Sequence, residues 1–316
     1  MQSMDANFWR HKRVVALSGG IGGARLVDGL YRLLEPGALD VIVNTGDDFE
    51  HLSVFVSPDI DTVMYTLAEL APVDRGWGVV DDSDQAMRMV QNLGEDVWFN
   101  LGDRDLGTNL LRTARLREGH TLSQVTDDFR RALDITCRIH PMADSPHPTR
   151  IHTHDGRILS FQRWLVQERG EPAVAKVELS GDKIANQAAL DAIRGADLVV
   201  IPPSNPWVSV EPILELRGVR EALAGKPVIG VSPIVHGQAV KGPLAAMIRS
   251  IDDKTPSARA VAARYGALLS AWFVAHGDSF DDPALEVIES DIIMQNIEGR
   301  VRVARELLIA GERLLR

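Results

Sequence analysis

The chain has 316 residues, of which 45% are apolar and 25% charged, the composition of a folded protein with ample core in one large α/β domain or two small ones. A formal net charge of -10 excludes a general binder of nucleic acid or of an anionic membrane surface, because both demand a basic face. Cys137 is the only cysteine, so no intrachain disulfide forms and no thiolate metal site finds its partners, and a reducing, cytoplasmic setting is expected.

Residues 1–12 read as a short, disordered leader without the apolar stretch of a signal sequence, and no later run approaches the ~20 apolar residues of a membrane helix. From Val14 the chain runs VVALSGGIGGARLVDGL, an apolar strand, a glycine-rich turn, and apolar residues at helical spacing. Three further short runs, Leu39 to Val43, Leu198 to Ile201 and Val228 to Val231, are rich in β-branched residues and followed by turn formers, which predicts buried parallel strands. The expected fold is therefore α/β, a Rossmann-like, mostly parallel sheet wrapped by helices, in a single domain over residues 13–316. Between Val43 and Leu198, helices are predicted over Asp61–Leu70, Ser83–Leu93, Thr108–His120 and Thr121–Leu133, with Thr121 as a cap. Residues 138–180 alternate β-type residues with turn formers and predict an inserted β-rich segment. A basic, amphipathic helix over Gly299–Leu315 ends the chain.

Five polar loops are expected to gather at the C-terminal edge of the sheet, where open α/β folds bind ligands. Ser18, Gly19, Gly20, Gly22 and Gly23 form the first, in which backbone N–H groups and a helix N-terminus can cradle a phosphate, with Arg25 one turn further on. A glycine corner that lets helix and strand pack closely explains the same residues, since neither GxGxxG nor GK[ST] is present. The second loop, NTGDDFEHLSVFVSPDIDTV, sets Asp47, Asp48, Glu50, Asp59 and Asp61 opposite that cradle, which suggests magnesium shared between carboxylates and a phosphate. Asp59 or Asp61 would equally serve as a helix cap. The third, NLGDRDLGTNL, offers Arg104 as a bidentate anion grip or as part of a solvated cap network. The fourth, PPSNPWVS, holds Ser204 and Asn205 between prolines, and the fifth, SPIVHGQAVKGP, carries His236 and Lys241. His152 and His154, two apart with no third ligand, read as ordinary strand histidines. Asp144 reads either as a substrate contact or as the start of an Asx-turn.

In this order, SGGIGGAR, VIVNTGDD, SPDIDTVMYTL, RGWG (Arg75 to Gly78), LGDRDLGT, FQRW, PSNPWVS and VSPIVHGQAVKGP closely resemble the 2-phospho-L-lactate transferase (CofD-type) family of coenzyme F-420 biosynthesis, from Val14 to about Gly277. The resemblance implies a transferase. It would move a phospho-hydroxyacid (phospholactate, or a relative derived from glycerate or enolpyruvate) from its guanosine-diphosphate-activated form to the ribityl hydroxyl of the deazaflavin precursor Fo, with GMP leaving and magnesium assisting. By the same resemblance Gly19, Gly20, Gly22 and Gly23 fall on the nucleotide phosphates, Ser204 and Asn205 on the guanosine side, and Asp61 and Asn100 on Fo; Ser18 and Lys241 are further expected nucleotide contacts. Asp48, Asp59 and Asp61 are the expected metal ligands, and Asp61, Asp48 and Arg104 the expected catalytic set. Two departures stand out. Phe49-Glu50-His51-Leu52 replaces a Trp and Gly stretch, which offers His51 as a substitute Fo contact, and Met142 to Pro146 keeps only Asp144 of an acidic pair. A nucleotide-sugar-binding regulator of the same superfamily would carry DDGGSSG where this chain has DDFEHLS. A dinucleotide oxidoreductase would end its second strand in an acid, where Asn44-Thr45 stands here. Small molecules are the expected partners, in a homodimer by default.

Overall fold

A computed structural model describes residues 4–316. Its centre is a seven-stranded sheet of β1 (Val14–Ser18), β2 (Leu39–Val43), β3 (Arg138–Pro141), β4 (Leu198–Ile201), β5 (Val228–Val231), β6 (Ala271–Val274) and β7 (Glu286–Glu289). Every neighbouring pair is parallel, and the spatial order is β7-β6-β5-β4-β1-β2-β3. The chain thus winds outward from β1 in both directions, as a doubly wound fold does, and its topological switch point lies between β1 and β4. Register pairs Val14 with Leu39 on one side of β1 and with Leu198 on the other.

β1, β2 and β4 are buried along their whole length because helices cover both faces. Strand alternation splits the core in two. Val15, Leu17, Val199 and Ile201 face a layer containing Ile193, Val210, Ile213 and Trp164. Val14, Ala16, Leu198 and Val200 face Leu26, Val27 and Leu30 of the Gly20–Tyr31 helix, with Leu307 and Leu308 of the Ile297–Leu315 helix.

Three expectations change. The segment expected to be a disordered leader contains a helical turn, Ala6–Trp9, and Trp9 is buried in the second layer; Met1 to Ser3 lie outside the described residues. Residues 138–141, expected within the insertion, instead form the edge strand β3 on β2, leaving an antiparallel three-stranded sheet of Thr149–Thr153, Ile158–Ser160 and Val174–Leu179 as the inserted element. The third polar loop does not follow a sheet strand. It belongs to an excursion between β2 and β3 that includes a hairpin (Phe49–His51 with Val54–Val56) and opens the Asp103–Arg117 helix. That excursion has its own small core of Val56, Met87 and Leu101, which packs it beside the sheet edge.

Candidate active site

A cavity of about 610 Å³ opens at the C-terminal ends of β1 and β4, at the switch point. One side is backbone. The Gly20–Tyr31 helix begins there, its N-terminal N–H groups unpaired within the helix and its dipole favouring an anion. Gly20 has φ +68, and a Cβ built on it would meet nothing within 4 Å, so its backbone borders open space. The other glycines serve packing: a Cβ on Gly22 would clash with the carbonyl O of Pro203, and one on Gly23 with Ser18 Oγ. The two readings of the glycine loop therefore divide by residue. The loop after β4 is locked to it, since Ser204 Oγ donates to Gly19 O at 2.8 Å and Asn205 Oδ1 accepts from Trp207 N–H at 3.1 Å.

The acidic loop closes against this cradle. Asp59 accepts from Gly20 N–H (2.8 Å) through Oδ1 and from Asn44 Nδ2 (2.9 Å) through Oδ2, and Asn44 also donates to Val208 O (3.1 Å). Asn44, just after β2, thus ties the acidic loop to the loop after β4. Burial drives the Asp59 carboxyl up to about 6. Burial, with Asp59 beside it, pushes Asp47 far above the usual carboxylate range, and burial does the same to Asp48, whose Oδ1 accepts from Ser57 Oγ at 2.8 Å. Asp47 Oδ1 and Asp48 Oδ2 are buried without any hydrogen-bond partner.

The far side is built from side chains of the excursion and the insertion. Arg112, 1% exposed, grips both oxygens of Asp61, with Nη1 at 3.0 Å from Oδ2, and donates to Asn109 Oδ1 at 2.6 Å. Burial still raises the Asp61 carboxyl, and the guanidinium offsets part of that rise. Tyr65 Oη donates to Asp105 Oδ1 at 2.8 Å. Beyond them Val97, Trp98, Phe99, Phe161, Leu165 and Val166 form an apolar wall, with Arg163 stacked 5.3 Å from the Trp98 ring. Trp77, 48% exposed, lines the mouth with the Arg75 guanidinium 4.3 Å above its ring, and Lys241 Nζ donates to Arg75 O at 2.6 Å. An anion cradle, a set of desolvated carboxylates and an apolar wall therefore share one cavity.

A model of the family described as "2-phospho-L-lactate transferase CofD" matches residues 14–298. The chain belongs to the CofD family. It is 40% identical to a phosphoenolpyruvate transferase of Thermobifida fusca over 84% of this chain and 87% of the relative. It is 36% identical to a 2-phospho-L-lactate transferase of Methanopyrus kandleri over 96% and 99%. A crystal structure of a UPF0052-family protein from Bacillus halodurans superposes with a TM-score of 0.61 at 17% identity, over 94% of this chain and 99% of that one, which is a likeness of fold. The chain is accordingly an enzyme, a transferase of the CofD type.

Against this CofD-family site, the residues expected from sequence fall into two groups. Gly19, Gly20, Gly22, Ser204, Asn205, Lys241, Asp59, Asp61 and Asn100 all line the cavity. Others do not. Ser18 and Gly23 are buried behind the cradle, where they let helix and strand touch. Arg104, expected to grip an anion, is exposed and turned away, with Nη1 donating to Val80 O at 3.0 Å. His51, expected to contact Fo, is buried behind the wall with its ring 5.4 Å from Trp98, because the hairpin carries it inward. Neither Asp59 nor Asp61 caps its own helix, since their oxygens are held by Gly20, Asn44 and Arg112. Asp61 is thus paired with a cation, whereas each oxygen of Asp59 is engaged by one neutral donor. Among the described residues no group of three His, Cys, Asp or Glu side chains is arranged to hold a metal. The unpartnered oxygens of Asp47 and Asp48 nevertheless fit magnesium, which takes one or two carboxylates and keeps its waters. Asp144 accepts from Ser123 N–H (2.8 Å) and Oγ (2.7 Å), and His152 pairs with Glu178 at 3.0 Å across the inserted sheet.

Arg112, Tyr65, Asp105 and Asn44 were not expected. A signal for two of them was present: Asp105 and Arg112 share one face of a helix with Asn109, which lies at i+4 between them. Starting that helix at Thr108 hid the face.

Proposed function

We propose that the protein transfers a phospho-hydroxyacid from a guanosine-diphosphate-activated donor to the ribityl hydroxyl of Fo, releasing GMP, in coenzyme F-420 biosynthesis. The observation that carries this reading is the single cavity whose phosphate-type cradle at the switch point faces an aromatic wall, with carboxylates between them. The donor diphosphate lies on the helix N-terminus at Gly20, the guanosine against the loop of Ser204 and Asn205, and the deazaflavin ring on the wall of Trp98, Phe99 and Phe161. Phosphoryl transfer asks mainly for positioning and charge neutralisation, which such a site provides. Magnesium held by Asp47 and Asp48 would neutralise the diphosphate when bound. Without a cation, burial favours the protonated form of both carboxyls, so metal and nucleotide bind together. Arg112 keeps Asp61 ionised and fixed in place, and Arg25 and Lys241 supply the positive charge at the mouth.

Relatives named for phosphoenolpyruvate and for 2-phospho-L-lactate both support an acid that carries phosphate and carboxylate. The test offers the protein Fo with lactate, glycerate or enolpyruvate in guanosine-diphosphate-activated form and analyses the products by mass spectrometry. A product joining Fo to one acid through a phosphodiester, with GMP in equal amount, is expected. Activated acids left intact in all three reactions would overturn the reading. We also propose a cytoplasmic homodimer, for which light scattering should give twice the 34.7 kDa chain mass.

A further inference from the structure

Transfer to an alcohol releases a proton, and the cavity holds four carboxylates near enough to be weighed as its acceptor: Asp47, Asp59, Asp61 and Asp105. Asp61 is a poor base, because a fully buried guanidinium occupies both its oxygens. Asp59 has both oxygens engaged by Gly20 and Asn44. Asp47 sits with Asp48 and Asp59 at the cradle, on the donor side. Asp105 differs from all three. It borders the cavity in company with Asn100, Phe99 and Tyr65, half-buried, and only its Oδ1 is hydrogen-bonded among the described residues, by Tyr65 Oη (2.8 Å) and Asn109 Nδ2 (3.2 Å). Its backbone N–H donates to Asp82 Oδ2 at 3.1 Å, which fixes the turn that carries it.

Building on the transferase reading above, we propose that Asp105 is the catalytic base that takes the proton from the attacking hydroxyl. In the step, the hydroxyl O–H bond breaks and its proton passes to Asp105 Oδ2. The hydroxyl oxygen forms a bond to the distal phosphorus of the donor, and the bond from that phosphorus to the bridging oxygen breaks, so GMP leaves with the electron pair. Asp105 then returns its proton to solvent. Tyr65 is a positioning residue, since its hydroxyl orients the carboxylate and stabilises the ionised form.

The environment suits the role. Burial first, and then the Asp61 carboxylate, lift Asp105 to about 6, with Asp82 adding to the rise; Tyr65 and Arg112 pull the other way. A base at that value is ionised at neutral pH and still accepts a proton.

The experiment measures single-turnover GMP release against pH for wild type, Asp105→Asn, Asp105→Glu and Tyr65→Phe, alongside Fo binding by fluorescence and melting temperature. We expect Asp105→Asn to lower the rate about 10²–10⁴-fold with Fo affinity little changed, and to abolish the acid limb of the profile. Asp105→Glu should keep the limb at a reduced rate. Tyr65→Phe should move the limb to higher pH, because the lost donor had favoured the charged carboxylate, which a purely structural role would not do. Rates for Asp105→Asn within about threefold of an active wild type would overturn the assignment while leaving the transferase reading intact. A wild type that releases no GMP from any activated acid would overturn that reading, and the assignment with it.

Discussion

The two sides of the cavity are made differently. The cradle side is backbone: a helix N-terminus, the open Gly20, and a loop after β4 tied to the glycine loop by Ser204. It stands on the two central strands, whose residues are wholly buried, and so inherits their rigidity. The opposite side is a network of side chains, Asp61, Arg112, Asn109, Asp105 and Tyr65, with an aromatic wall behind it, carried by segments that leave the sheet. A backbone site is damaged by added bulk, and a side-chain network by a missing partner. Each side should therefore fail in its own way.

The largest effect is expected at Arg112. Arg112→Ala leaves Asp61 charged and buried without a partner, a loss of about 3–5 kcal/mol that thermal unfolding would read. Adding Asp61→Leu should restore much of that stability but no activity. A melting temperature unmoved by Arg112→Ala would break the comparison, since the network would then be ornamental.

Next come the glycines, which separate packing from binding on the cradle side. Gly22→Val should cost about 1–3 kcal/mol of stability, because its Cβ runs into Pro203 O. Gly20→Val meets no neighbour but adopts a positive φ, so about 1–2 kcal/mol of strain is expected. Its larger consequence should be weakened GDP binding, seen by calorimetric titration, as the side chain enters the space facing the phosphate. Similar GDP affinities for Gly20→Val and wild type would move the cradle elsewhere.

Magnesium tests the ground between the two sides. GDP affinity should fall sharply on chelation in wild type, and the dependence should shrink in the Asp47→Asn, Asp48→Asn double variant, which lacks the open carboxylate oxygens. Equal dependence in both proteins would place the metal away from these residues.

A smaller, pH-dependent effect follows from Asp59 and Asp105. Both have folded values of about 6 against 3.8 when free, raised in each case by burial first. For an acid raised in the folded state, the contribution to stability is complete below about pH 4 and lost as pH rises through about 6. These two groups should thus lower the melting temperature of the ligand-free protein between pH 4.5 and pH 7, and Asp59→Asn should flatten that part of the curve. Least affected should be Arg104→Ala, whose side chain points to Val80 outside the cavity: turnover should stay within about twofold.

By itself the sequence determined the four central strands of the sheet, though not its three outer ones. The expected strands Leu39–Val43, Leu198–Ile201 and Val228–Val231 form as predicted, because a run buried on both faces must be apolar throughout and must end at turn formers. Thr121 caps its helix in a reciprocal box with Gln124, which is local chemistry. The loops after β1, β2 and β4 were legible for the same reason, since parallel topology sends them to one edge. Tertiary structure alone decided which residues face the cavity. Arg104 and Asp105 are neighbours in sequence, yet one turns to solvent and the other to the site, because the helix that carries them packs through Leu106 against the small core of Val56, Met87 and Leu101. Likewise the partner of Asp61 lies 51 residues further along, at Arg112, and no local pattern encodes a contact made only when two helices are brought together by the excursion's own core.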